Sequence, residues 1–168
     1  FIHRMPDLQH LGLWGNRIDH IELTSESSNL RVLNLSGNRL SDVQLPGSMH
    51  QLRELNLQNN QIQNFVLPPG FTNLSVLNLR NNQLTKGHFP EGLISLKKLE
   101  LSGNYLSELF LPDDMRANME TERDYVIRLI YYKNVKTFFQ DVHSSSINTG
   151  FSDVGMNTPD FSTMSRKD

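Results

Sequence analysis

The side chains of this chain that could act on another molecule fall into three ranks, each spaced by 22 residues. His10, Val32, Glu54, Val76 and Lys98 form the first, and Gly12, Asn34, Asn56, Asn78 and Glu100 the second. Trp14, Ser36, Gln58, Arg80 and Ser102 form the third. These residue types suit recognition: amides both donate and accept hydrogen bonds, and Trp and Arg are enriched where binding energy concentrates. They do not form a catalytic set. The six histidines show no paired metal spacing such as H-E-x-x-H, and no G-x-S-x-G, phosphate loop or G-x-G-x-x-G occurs. Glu108, Asp113, Asp114 and Glu120 cluster near one another, where stabilising a helix start accounts for them. The absence of cysteine excludes disulfides, thiolate zinc sites and cysteine nucleophiles, and leaves the compartment open. The expectation is a protein that is not an enzyme, with no catalytic residue, no metal and no cofactor.

What positions the ranks is an internal repeat. LQHLGLWGNRI from Leu8, LRVLNLSGNRL from Leu30, LRELNLQNNQI from Leu52, LSVLNLRNNQL from Leu74 and LKKLELSGNYL from Leu96 align without a gap. The L-x-L pairs alternate with polar residues, the period of a strand with one buried face. Stacking the copies gives a parallel sheet with leucine inside and the three ranks outside. Asn16, Asn38, Asn60, Asn82 and Asn104, one per copy, are expected to turn inward as a structural ladder that satisfies backbone groups where the chain bends away. All five copies resemble the leucine-rich repeat, L-x-x-L-x-L-x-x-N-x-[L/I]. That resemblance implies an α/β solenoid, a right-handed coil with a parallel concave β-sheet.

The second half of each unit repeats too, as VQLPGSM from Val43, FVLPPGF from Phe65, GHFPEGL from Gly87 and LFLPDDM from Leu109. Val43/Leu45 and Phe65/Leu67 alternate as in a short extended segment. Pro46, Pro68, Pro90 and Pro112 end it, since proline fixes φ and cannot donate to a ladder. Met49, Phe71, Leu93 and Met115 then return to the core, so the convex side is expected to be slim.

Residues 1–7 keep the phase of Leu45–Gln51, which reads as the end of a preceding repeat. Residues 8–112 carry the five repeats. Residues 113–139 read as a closing unit: Asp113 or Asp114 caps a helix over about 115–132, and Val135–Phe139 forms a strand. Its layout resembles the closing unit of bacterial repeat proteins with the same L-P turn, and the resemblance covers about residues 8–139. Residues 140–168 are rich in Ser, Thr, Asn, Asp and Gly, a flexible tail or, through Phe151, Val154, Phe161 and Met164, a docking segment.

A net charge of -2 with scattered Lys and Arg gives no pull towards nucleic acid, and no apolar run approaches a membrane span. The chain is thus expected to be a module, part of a larger protein, that binds a protein or peptide on its concave face. The residues expected to contact the partner are Trp14, Asn34, Glu54, Asn56, Gln58, Asn78, Arg80, Lys98 and Glu100. Trp14 either meets the partner or covers the end of the stack. The competing expectations are a regulatory or inhibitory subunit of an enzyme, and the substrate-recognition part of a multidomain enzyme or secreted effector. Asn34-Leu35-Ser36 and Asn73-Leu74-Ser75 match the glycosylation sequon but fall within the repeat pattern itself.

Overall fold

The computed structural model describes residues 5–115, 126–128 and 136–140. Strands β1 (His10–Gly12), β2 (Val32–Asn34), β3 (Glu54–Asn56) and β4 (Val76–Asn78) come from the first four repeats, and β6 (Lys98–Glu100) from the fifth. Strand β8 (Val126–Arg128) follows them in one parallel sheet of order β1-β2-β3-β4-β6-β8. The register keeps like positions side by side, with Leu11, Leu33, Leu55 and Leu77 in one row ending at Leu99. On the opposite side, β5 (Lys86–His88), β7 (Glu108–Pro112) and β9 (Lys136–Gln140) form a second parallel sheet. The chain is therefore a parallel-strand solenoid.

The core runs along the axis between the two sides. Leu30, Leu33 and Leu35, with their equivalents in the next three turns, are buried, and Leu40, Val43, Leu45 and Met49 close on them from behind. In the first turn Leu8, Leu11, Leu13 and Ile18 are only partly buried against this cluster. Gly87 replaces the bulky residue found at Val43 and Phe65, and the space is taken by Phe89 and Leu109. A Cβ at Gly87 would lie 2.7 Å from Leu109 Cδ1.

Strands β1 to β4 and β6 are only three residues long because the chain then turns through a left-handed residue. Gly15, Gly37, Asn59, Asn81 and Gly103 have φ of 68°, 66°, 56°, 54° and 72°. Glycine and asparagine are the residues that enter this region at least cost. Their backbone N–H groups bridge to the following turn: Gly37 to Gln58 O at 2.8 Å, Asn59 to Arg80 O at 3.0 Å.

The closing unit differs from the expected one. Residues 113–115 begin a helical turn after Pro112, but no helix continues through 126–128. Those residues are strand β8, with Ile127 beside Leu99. The segment from Tyr125 to Tyr132 is rich in β-branched and aromatic residues, which favour a pleated surface over a helix. An open sheet edge at β6 rewards that preference with backbone pairing. The step from Leu99 to Ile127 is 28 residues, against 22 between Leu77 and Leu99. The extra residues lie between Pro112 and Val126, because Arg128 to Lys136 matches the spacing of Glu100 to Glu108. The step to β8 is thus longer than those between the preceding strands. The expected terminal strand is β9, running to Gln140 in register with Pro112. Residues 1–4, the remainder of the expected helix and the tail from 141 lie outside the described residues.

Candidate functional site

The concave sheet brings the three ranks into adjacent rows. Pairing sets His10 beside Val32 and Gly12 beside Asn34, then Val32 beside Glu54 and Asn34 beside Asn56, and so on to Lys98 and Glu100. Neighbouring strands lie ~4.8 Å apart, so five strands offer about 20 Å of face.

Behind this face runs the asparagine ladder. Asn38 Nδ2 donates to Leu35 O and Leu13 O, both at 2.9 Å, and its Oδ1 accepts from Ile18 N at 3.0 Å. Asn60 does the same with Leu57 O, Leu35 O and Leu40 N, and Asn82 with Leu79 O, Leu57 O and Ile62 N. Asn104 completes it with Leu101 O, Leu79 O and Leu84 N. Each amide therefore ties its own turn to the one before. Asn16 is the exception. It is exposed and, among the described residues, donates only to Leu13 O and Trp14 O within its own turn.

The middle rank is partly committed. Asn34 Oδ1 accepts from Ser36 N at 3.1 Å and Ser36 Oγ at 2.7 Å, Asn56 Oδ1 from Gln58 N, and Asn78 Oδ1 from Arg80 N. A backbone N–H must meet an oxygen, so these contacts fix which way each amide faces. Asn78 Nδ2 is used, donating to Gln58 Oε1 at 2.9 Å. Among the described residues nothing accepts from Nδ2 of Asn34 or Asn56. The face thus offers unused donors while its amide oxygens are occupied.

Trp14 is 67% exposed at one end of the face, and its ring lies over Gly12, whose added Cβ would be 3.9 Å from Trp14 Cδ1. Arg80 is exposed after β4, with β6 and β8 beyond it, and takes part in neither ion pair of the described residues. Glu54 is exposed and Gln58 half-buried. Glu100 sits apart from these. It is 8% exposed, between Asn78 and Arg128 in register, and its carboxylate lies 3.4 Å from Lys98 Nζ. It is a buried half of an ion pair, not a free group on the surface. Ser102 is buried as well.

One row escaped the three ranks. Arg31 and Arg53, with Gln9, Ser75 and Lys97, precede the strands and stack edge to edge. Arg31 N donates to Gln9 O at 2.7 Å, Arg53 N to Arg31 O at 2.8 Å, and Lys97 N to Ser75 O at 2.9 Å. The 22-residue spacing from Arg31 to Arg53 was visible in the sequence. Elsewhere, a shallow groove on the convex side is lined by His20, Glu22, Asp42 and Gln44, away from these residues. Among the described residues no three His, Asp or Glu side chains gather to hold a metal, and no helix is long and apolar enough to cross a membrane.

A family model described as leucine-rich repeats in two copies matches residues 28–69 and 72–113. No curated protein sequence matches the chain. Among solved structures, an internalin from Listeria monocytogenes is similar with a TM-score of 0.56 at 21% identity, over 84% of this chain and 46% of that one. A leucine-rich repeat protein of Leptospira interrogans is 27% identical with a TM-score of 0.43, over 68% of this chain and 36% of that one. The chain spans less than half the length of either.

Proposed function

From the premise that this chain belongs to the leucine-rich repeat family, whose repeats commonly serve as protein-interaction modules, we propose that it binds a protein or peptide across its concave face. The observation that carries this reading is the state of that face. Trp14 stands 67% exposed at one end, Arg80 stands three turns along, and among the described residues Arg80 has no ionic partner and the Nδ2 donors of Asn34 and Asn56 no acceptor. An exposed indole costs solvation unless something covers it, and a face with spare donors gains most from a partner that brings acceptors. About 20 Å of sheet, joined by its edges, matches a standard interface of ~800 Å² per partner. No step of chemistry is assigned to these residues; their role is to hold.

The test is capture of partners by the immobilised 168-residue chain, compared with Trp14→Ala and Arg80→Ala. Val66→Ala, at an exposed convex position, is the control. Each concave substitution is expected to weaken capture by about 30-fold, the scale of a binding hot spot, while Val66→Ala leaves it unchanged. If neither concave variant reduces capture of any partner, the concave face is not the binding surface.

A further inference from the structure

We infer that the segment this face receives is an acidic peptide, with Arg31 and Arg53 as the rail that reads its carboxylates. The inference rests on the concave-face reading and adds the chemistry of the partner.

The argument starts from charge placement. The chain as a whole carries -2, yet the face and its leading edge are cationic. Arg31, Arg53, Arg80, Lys97 and Lys98 are all exposed there. Against them stand Glu54 and Glu100, and Glu100 is already held by Lys98. The negative balance of the molecule is carried elsewhere.

Arg31 and Arg53 are the strongest part of that asymmetry. Their backbones are hydrogen-bonded at 2.8 Å on consecutive turns, so the two guanidinium groups rise from positions ~4.8 Å apart. Like charges directly opposite each other on a sheet destabilise it. Neither guanidinium belongs to an ion pair among the described residues, where the pairs are Lys86–Glu108 and Lys98–Glu100. The stack gains nothing from placing two unpaired arginines side by side, whereas a carboxylate lying across both would be held by a planar fork from each.

The amides give an independent reason. The oxygens of Asn34 and Asn56 are engaged by the backbone N–H of Ser36 and Gln58, and only their Nδ2 groups remain. A neutral donor row beside a cationic rail selects for acceptors and rejects cations. An extended peptide rises ~3.3 Å per residue, so about six residues span the face from Trp14 to Lys98. A partner with acidic side chains and free backbone carbonyls satisfies the rail and the donor row together. A peptide rather than another polyanion follows from the proposed function, since leucine-rich repeats commonly serve as protein-interaction modules.

Fluorescence anisotropy with a labelled octapeptide of four Glu-Ser units, titrated with the full chain at physiological salt, tests this. The Glu-Ser peptide is expected to bind and a Lys-Ser peptide not to. Arg31→Gln/Arg53→Gln is expected to weaken binding at least about tenfold. Arg17→Gln/Arg39→Gln removes the same charge from exposed positions that follow β1 and β2 instead of preceding the strands, and is expected to change it less than twofold. Circular dichroism confirms that both doubles are folded. The proposal is overturned if the Glu-Ser peptide does not bind, or if the two doubles weaken it equally. It is also overturned if a heparin tetrasaccharide displaces the peptide from the rail with equal or greater affinity. Failure of the acidic peptide to bind, where Trp14→Ala and Arg80→Ala still abolish partner capture, removes the acidic assignment alone and leaves the concave face in place.

Discussion

Asn60 reaches back a full turn to Leu35: its Nδ2 donates to the Leu35 carbonyl at 3.0 Å across 25 residues of chain, and to Leu57 O of its own turn at the same distance. Its Oδ1 accepts from Leu40 N. One side chain therefore satisfies three buried backbone groups that belong to two turns. Asn60→Ala leaves Leu40 N without a partner and takes one of two donors from Leu35 O and Leu57 O, which keep Asn38 and Asn82; an unsatisfied buried group costs about 1–3 kcal/mol. The expected loss is about 2 kcal/mol in urea-induced unfolding. Asn16→Ala is expected to cost under about 1 kcal/mol, because Asn16 is exposed and bonds only within its own turn. Equal losses at the two positions would mean that the inter-turn bonds are not what stabilises the stack.

Gly103 and Gly15 both sit in the left-handed region, at φ of 72° and 68°. Their surroundings differ. A Cβ at Gly15 meets nothing within 4 Å, whereas at Gly103 it would collide with the Asn81 side chain. Asn81 in turn donates to Asn59 Oδ1 at 2.8 Å, so displacing it disturbs the neighbouring turn. Gly15→Ala is expected to cost about 1 kcal/mol, the backbone penalty alone. Gly103→Ala is expected to cost at least about 1 kcal/mol more. The shift in denaturation midpoint between the two variants measures the difference.

The two ion pairs are not equivalent. Lys86 and Glu108 face each other on the convex sheet at 3.2 Å, with 59% and 36% of their side chains exposed. Pairs of this kind contribute about 0.2–1 kcal/mol and are screened by salt. In the Lys98–Glu100 pair the carboxylate side chain is only 10% exposed, so removing the cation leaves a mostly buried charge with less to compensate it. Lys86→Met is expected to change stability by less than about 0.5 kcal/mol. Lys98→Met is expected to cost about 1–2 kcal/mol and to depend less on salt. Urea unfolding at low and high sodium chloride separates them.

The sequence disclosed the stack because burial follows a period that five copies repeat. Leu33, Leu55, Leu77 and Leu99 had to lie in one row once their spacing was equal, and the leucines before and after them followed. Properties that depend on a particular neighbour were not legible. Glu100 shares its rank with Asn34 and Asn56, yet it is buried. It lies between Asn78 and Arg128 in register, and a 28-residue step hid Arg128 from any search at 22. Asn16 matches the pattern of Asn38 letter for letter, yet it is exposed and among the described residues bonds only within its own turn. Arg31 and Arg53 were visible at the right spacing. They were missed because reading only the residues between buried leucines stops one position short of the row that precedes each strand. Periodicity thus finds what every turn shares, and it fails where one turn's neighbour departs from the 22-residue step, as beside Glu100.

The closing turn offers the sharpest contrast between sequence pattern and structure. A helical reading of 115–132 places Val126 and Ile130 on one face, while the backbone puts Val126–Arg128 beside Lys98–Glu100 as a parallel strand. Carbon secondary chemical shifts decide between these directly, because helix and strand displace Cα and Cβ in opposite senses. Strand-type shifts are expected at Val126, Ile127 and Arg128. Amide exchange at Leu99 should also be slower in the full chain than in one ending at Gln140 with Ile127→Pro, since proline in a paired strand removes a ladder donor and fixes φ away from the extended value. Helix-type shifts at all three residues, with Leu99 exchange indifferent to Ile127→Pro, would show that β6 is the last strand of the sheet.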